Sequence, residues 1–277
     1  MNHPSPLRRL LTIHLPALLI VLLSIGPFAW LALTALTPSA EISARGVSLS
    51  PAVWSLENFN RLLLHTSFTG NMGHSLIVAA GTVVLGLLVS VTAAYSLSRF
   101  RFPSRKLLML QFLLVNMFPV VLLILPLFII MRWLGILDTH LALILANATV
   151  AIPFAVWMLT SYVDAIPRSL DEAAMIDGCS RLQALRRVVL PLALPGIIST
   201  GIYIFITAWN EYLYALTLTG RNVRTVTVAI QTLIGEFQIE WGLLAAGGIV
   251  GALPVVLLFL IVQRRLVGGL TQGAVKG

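Results

Sequence analysis

Charge is scarce in this sequence. Only 10% of its 277 residues are Asp, Glu, Lys or Arg, against about 25% in soluble globular domains. That is too few ionised groups to clothe a water-soluble fold of this length. Acidic residues are the scarcer sign, at 10 against 18 basic. A single cysteine, Cys179, excludes an internal disulfide, and with five scattered histidines it leaves no metal-ligand spacing. No bound metal or cofactor is expected. There is no GxxxxGK[ST] phosphate loop, so nucleotide binding by this chain is not expected either. No His, Asp or Ser cluster recurs at catalytic spacing, which argues against an enzyme and leaves no catalytic residue to name.

What the chain has instead is apolar surface. Hydrophobic residues make up 58% and the mean hydropathy is +0.96, which marks an integral membrane protein. The net charge of +8 is spread beside apolar runs rather than gathered on one face. It is therefore a topology signal and not a nucleic-acid footprint.

Apolar runs occur at about 13–36, 75–97, 107–131, 140–163, 192–216 and 243–263. Each is long enough to cross roughly 30 Å of hydrocarbon at 1.5 Å per residue. The first is about twice the length of a signal-peptide core, so it is expected to remain as a span. This predicts one permease domain over 1–277, an all-α membrane protein with six transmembrane helices. Of the 18 Lys and Arg, all but Arg45, Arg61, Arg132, Arg221 and Arg224 fall on one side of these spans. The positive-inside rule then puts both termini, a loop at 164–191 and a tail at 264–277 in the cytoplasm. Trp30, Trp133, Trp209 and Trp241 fall near the outer span ends, as an aromatic belt would. Pro119, Pro126, Pro153 and Pro254 lie where they can bend their helices, and Gly81, Gly86, Gly247 and Gly251 where backbones can approach closely.

Outside the membrane, Ser55 is placed to cap a short helix carrying Phe59, Leu62 and Leu63 on one face, lying on the outer surface or against a partner. The stretch Thr217 to Gly242 is a long outer loop, either a contact surface or a solvated connection.

Polar groups inside the spans are costly and therefore informative. Asn116 and Asn147 lie mid-span and in an outer half; Asn210 and Glu211 lie beside Trp209, Tyr212 and Tyr214. Amides or carboxylates flanked by rings suit a sugar, and all four residues are candidates for lining a pathway. Interhelical hydrogen bonding for the amides and snorkelling for Glu211 are the competing readings. Glu211 is the only acidic residue clearly within a span.

The stretch from Ser169 to Leu192 has the strongest local order. Ser169 with Glu172, and Ser180 with Gln183, stand in capping-box spacing, and Gly178 lies between them where a helix end needs a left-handed residue. This predicts helices at about 170–177 and 181–189, with Asp171 and Glu172 in the first turn of the former. Glu172, Ala173, Ala174 and Gly178 form a face with little bulk. Such a face suits a groove in a partner protein better than a lipid surface, although Leu182, Leu185 and Val188 keep an interfacial helix open.

EAAMIDG at 172–178, followed by VVLP at 188–191, resembles the EAA signature of permease subunits of binding-protein-dependent ABC importers, written EAAxxxG, nine residues, IxLP. Val188 replaces the usual Ile. AYSLSRFRFPSR at 94–105, FITAWNEYLYALTLT at 205–219 and GLTQGAVKG at 269–277 are similar to the carbohydrate branch, the MalG-type second permeases of maltose- and trehalose-like systems. The resemblance implies the type I ABC importer permease fold and a prokaryotic plasma or inner-membrane location. It implies a second permease forming a heterodimer, two ATPase subunits that carry ATP and Mg, an external sugar-binding protein, and a sugar substrate, a disaccharide or short oligosaccharide. Lipid surrounds the chain and no nucleic acid is involved. By the same resemblance Glu172, Ala173, Ala174 and Gly178 couple to the ATPase, the tail from Gly269 reaches between ATPase subunits, Thr217 to Gly242 faces the binding protein, and the sugar is held mainly by the other permease. Two alternatives stay open: an ion-gradient-driven secondary transporter, and an ABC permease for a polyol, sugar phosphate, amino acid or other solute.

Overall fold

A computed structural model describes residues 10–47, 53–235 and 239–274, with the side chains of Leu11 and 264–274 outside the description. Its regular elements are helical apart from one isolated bridge, Ile234 to Ile239. A π-turn, Leu10–His14, leads into α1 (Leu15–Leu36), followed by α2 (Ser39–Arg45), α3 (Glu57–His65), α4 (Phe68–Arg99), α5 (Arg105–Met117), α6 (Val120–Trp133) and α7 (His140–Asp164). Then come α8 (Arg168–Ile176), α9 (Arg181–Ala184), a π-turn Leu185–Val189, α10 (Leu190–Leu192), α11 (Leu194–Trp209), α12 (Leu213–Leu218), α13 (Val226–Thr232) and α14 (Trp241–Ala274). Thr12–Leu36, Phe68–Arg99, His140–Asp164 and Trp241–Gln263 are each long and apolar enough to cross a membrane. Two bent pairs bring the count to six if each is one span.

Those bends are where the helices depart from the apolar runs. The run 107–131 is two helices, α5 and α6, meeting at 98°. The cause is local: Pro119 has no amide to donate, and Phe118 before it is driven to an extended ψ of 131°. Pro126, Pro153 and Pro254, by contrast, lie inside continuous helices. The run 192–216 is also divided, into α11 and α12 with Asn210 to Tyr212 between, and the Arg181–Leu192 segment meets α11 at 79°.

The chain forms two compact units, Met1–Thr69 with Ile230–Leu253, and Gly70–Ala229 with Pro254–Gly277. In the first, Asn58 is the hub. Its side-chain amide donates to the carbonyls of Ala35 and Thr37, both at 2.9 Å, and its oxygen accepts from the Ser39 hydroxyl at 2.9 Å. The Ala35 carbonyl, left open in the last turn of α1, and the Thr37 carbonyl just beyond it are thereby satisfied. A Cβ at Gly242 would come within 2.5 Å of the same amide, so the start of α14 accommodates only glycine there. Arg61 of α3 pairs with Glu240 at 2.7 Å. Ser55 does not cap α3, whose N-cap is Leu56 with no side-chain cap; its hydroxyl accepts from the Glu57 amide at 3.1 Å, and Leu62 of that helix is fully buried in its own chain.

The second unit is built around α7. Its alanines at 142, 146, 148, 151 and 155 are buried, and small residues let neighbouring helices approach where there is no water to expel. At one end α7 packs with Val78 of α4, Leu127 and Met131 of α6, and Tyr214 and Leu218 of α12. At the other, Leu159 and Val163 join Ala94 and Tyr95 of α4 with Leu185 and Val189. The approach to α11 is closest at Gly196, where a Cβ would fall 2.4 Å from the Tyr162 ring. Trp209 is no belt residue: it is buried and stacks on Phe205 at 5.6 Å.

Candidate coupling segment and polar sites in the spans

The 164–192 segment is locally folded, and its first helix begins earlier than the sequence indicates. Pro167 is the N-cap of α8 and no side chain caps it, so the Ser169–Glu172 capping box does not form. An extended proline fixes the entry before Ser169 is reached, leaving Asp171 in the first turn and Glu172 beyond it. The second capping box is present: the Ser180 hydroxyl accepts from the Gln183 amide at 3.3 Å, and the Gln183 side chain accepts from the Ser180 amide at 2.7 Å. Between the two helices Gly178 has φ of +86° and open space where a Cβ would stand. The expected helix over 181–189 is only four α-helical residues followed by a π-turn that carries Arg186 and Arg187.

Of the four residues marked for docking, Glu172, Ala173 and Gly178 are exposed, while Ala174 packs inward at 8% exposure. The residue that anchors the helix is Asp171. It forms an ion pair with Arg99 at the end of α4, the two side chains being 6% and 5% exposed. Arg99 also donates to the Ser98 hydroxyl at 3.1 Å and to the Ile166 carbonyl at 3.1 Å. Asp164 at the end of α7 accepts from Ser98 at 2.6 Å and from Arg105 of α5 at 2.7 Å, and Arg168 donates to the Ser98 carbonyl. Arg181 lies 4.9 Å over the Phe100 ring. The ends of α4, α5 and α7 thus share one polar network with α8. In the sequence Arg99 counts only as a topology charge, because its partner lies 72 positions away.

The four polar span residues are not brought together. Asn116 donates to the Phe112 carbonyl at 2.9 Å within α5, and Asn147 is buried and donates to the Leu143 carbonyl at 2.9 Å within α7. Asn210 is exposed at the end of α11. Glu211 caps α12, its two oxygens accepting from the Tyr214 and Ala215 amides at 2.7 and 3.0 Å. Tyr214 beside it is buried.

Asp138, between α6 and α7, is a site residue that the sequence does not announce. It holds φ of +58°, and its carboxylate accepts from the amides of Gly220, Asn222 and Val223 at 2.8, 3.1 and 3.1 Å. Burial pushes its carboxyl up, but the amides outweigh burial and hold it below the ordinary range. On the same unit the Ser75 hydroxyl accepts from the Val226 amide at 2.8 Å. The 219–226 stretch is therefore gripped at both ends. Residues 236–238 of the predicted outer loop lie outside the described residues, as do 275–277 of the tail; α14 continues to Ala274.

Four to six membrane-length helical spans among the described residues, with a short helical pair leading from one to the next, define a multi-span membrane protein. The chain belongs to the family of binding-protein-dependent transport system inner membrane components, whose profile matches residues 83–271. It is 39% identical to the sulfoquinovosyl glycerol transport system permease protein SmoH of Agrobacterium fabrum, over 91% of this chain and 88% of that protein. It is 35% identical to the trehalose/maltose transport system permease protein MalG of Thermococcus litoralis, over 98% of each. The fold matches a chain of a bacterial ABC transporter involved in the import of the acidic polysaccharide alginate, with a TM-score of 0.81, 23% identity, and coverage of 95% and 99%.

Proposed function

We propose that this chain is one of two related permeases of an ATP-driven importer that moves a sugar, a disaccharide or short oligosaccharide, handed over by an external binding protein. Both termini and the 164–192 segment face the cytoplasm. There Glu172, Ala173 and Gly178 dock on one of two ATPase subunits, which carry the ATP and Mg while this chain binds neither. Ala174 seats the docked helix.

The observation that carries this reading is the combination of an exposed face on α8, where Glu172 and Ala173 lie beside the exposed Leu170 and Ile176, with the buried Asp171–Arg99 pair behind it. A helix pinned by charge to the end of α4, which is tied in turn through Asp164 to α7 and α5, moves with them, so ATPase closure displaces the spans rather than bending the loop. The names of relatives that transport trehalose, maltose or a glycosyl glycerol support a sugar cargo. An ion-gradient carrier would need a carboxylate free to exchange its charge, and both oxygens of Glu211 are engaged by backbone amides.

The test is co-purification in detergent of this chain with its genomic neighbours, as wild type and as Gly178→Arg. Retention of an ATPase with sugar-stimulated hydrolysis by the wild type, and its loss in the variant, are expected. An ATPase that stays bound to Gly178→Arg sinks the docking assignment; none bound to either chain sinks the importer.

A further inference from the structure

Three aromatic rings meet where α7 crosses α11, deep in both helices. Phe154 stacks on Trp157 with centroids 5.6 Å apart, and Tyr203 closes on Phe154 at 4.7 Å. All three are only half-buried. Trp157 lies seven residues before the end of α7 and Tyr203 nine after the start of α11, about 10 and 14 Å along their axes. Interfacial belts place Trp and Tyr at the membrane edges. These rings sit too deep for that role and are too exposed to be core.

The face of α11 that carries Tyr203 is polar along its length. Ser199, Tyr203, Thr207 and Asn210 follow at spacings of 4, 4 and 3, within an arc of about 80°. None is buried. The Ser199 and Thr207 hydroxyls donate to the Pro195 and Tyr203 carbonyls, both at 2.8 Å. Their hydrogens are spent on the helix, but their oxygen lone pairs point outward and can accept from another hydroxyl. Such a seam is costly against lipid, which offers no hydrogen-bonding partner, and inexpensive beside water or a polyhydroxylated cargo.

We infer that this seam and its aromatic trio form a sugar-contact surface on this subunit, the rings stacking on the apolar face of a pyranose while the Ser199 and Thr207 oxygens receive its hydroxyls. The inference rests on the sugar-importer reading above. It moves the carbohydrate contact away from Trp209, Glu211 and Tyr214, whose rings are buried and whose carboxylate is a helix cap, and keeps only the exposed Asn210 of that stretch. It also gives this permease a direct part in selecting cargo.

This chain carries a single cysteine, so once that is removed label can be read on this chain after the subunits are separated. In a Cys179→Ser background, single cysteines at 199, 203 and 207 are introduced into the complete transporter in proteoliposomes. They are treated with a charged, membrane-impermeant thiol reagent, which reacts with the thiolate that forms in water and not in hydrocarbon. Trehalose and maltose serve as probes, with uptake measured in parallel. The expected result is labelling at all three positions, slowed several-fold by the sugar that is taken up. Trp157→Ala should cut that uptake roughly three- to tenfold, the worth of one ring contact. Labelling indifferent to a sugar that is taken up overturns the contact surface and leaves the importer standing. Labelling only by a lipid-soluble reagent, or none, assigns the face to lipid or to the second permease and overturns it equally. If neither sugar is taken up, the trehalose- or maltose-like cargo falls, while labelling at 199, 203 and 207 still decides whether the seam faces water, and its absence overturns the contact surface.

Discussion

Asp171 and Arg99 form a buried ion pair between the first turn of α8 and the last turn of α4. Removing one partner leaves a charge in a low-dielectric site without compensation, at a cost of about 3 to 5 kcal/mol. Asp171→Asn and Arg99→Gln should each lower the unfolding temperature of the detergent-purified protein. Both should also weaken the stimulation of ATPase activity by the binding protein in the assembled transporter. The reversed pair, Arg99→Asp with Asp171→Arg, should recover part of both, because the remaining network positions only one orientation. Full coupling in Asp171→Asn would mean that α8 transmits force through apolar contacts alone.

Gly178 separates backbone strain from docking, because its φ of +86° is combined with empty space around the missing Cβ. Gly178→Ala meets no neighbour and carries only the left-handed penalty, about 1 to 2 kcal/mol. Gly178→Asn should be better tolerated, since Asn visits that region more readily. Both should insert and unfold cooperatively near the wild-type temperature, while Gly178→Arg should do so and yet lose the ATPase. Circular-dichroism melts paired with co-purification check this, and a grossly unfolded Gly178→Ala would show that the turn carries more strain than φ alone implies.

The reach of sequence reasoning follows from which interactions are local. The apolar runs were legible because a bilayer dictates their length, and the Ser180–Gln183 box and the Gly178 turn because each is fixed within four residues. The Ser169 box failed because Pro167, two positions earlier, sets the helix start by backbone geometry that outweighs side-chain capping. The bend at Pro119 was among those the sequence marks, but nothing local separated it from Pro126 and Pro153, which lie inside continuous helices. Asn58, Asp138 and the Arg99–Asp171 pair could not be read at all. Each acquires its partners from elements 19 to 85 positions away, and no spacing rule links them.

Gly196 tests the packing of α11 on α7. A Cβ there would stand 2.4 Å from Cγ and 2.8 Å from Cβ of Tyr162, and a contact with the root of a side chain cannot be relieved by rotating its tip. Gly196→Ala should therefore cost about 1 to 3 kcal/mol, the usual toll of overpacking. Tyr162→Ala in the same chain should return much of that loss, giving a strongly non-additive double mutant. Additive losses in thermal melts would show that the two helices separate instead of clashing.

Asp138 makes the sharpest pH prediction. Its folded carboxyl titrates below the ordinary range because the Gly220, Asn222 and Val223 amides favour the anion more than burial disfavours it. A depressed value means that its stabilisation is fully present above the unfolded value of about 3.9 and is lost as pH falls through the folded one. Asp138→Ala should therefore destabilise the protein at pH 7 by about 1 to 2 kcal/mol, allowing for solvent screening. Asp138→Asn should cost less, since it tolerates φ of +58° and keeps one acceptor. The gap in unfolding temperature between wild type and Asp138→Ala should be constant from pH 7 to 5 and close below about pH 4, where protonation does to the wild type what the substitution does to the variant. A gap that does not narrow at all as pH falls from 5 through the acid range would mean that the carboxyl holds the 219–226 stretch as well when neutral, and that its charge is not what organises the loop.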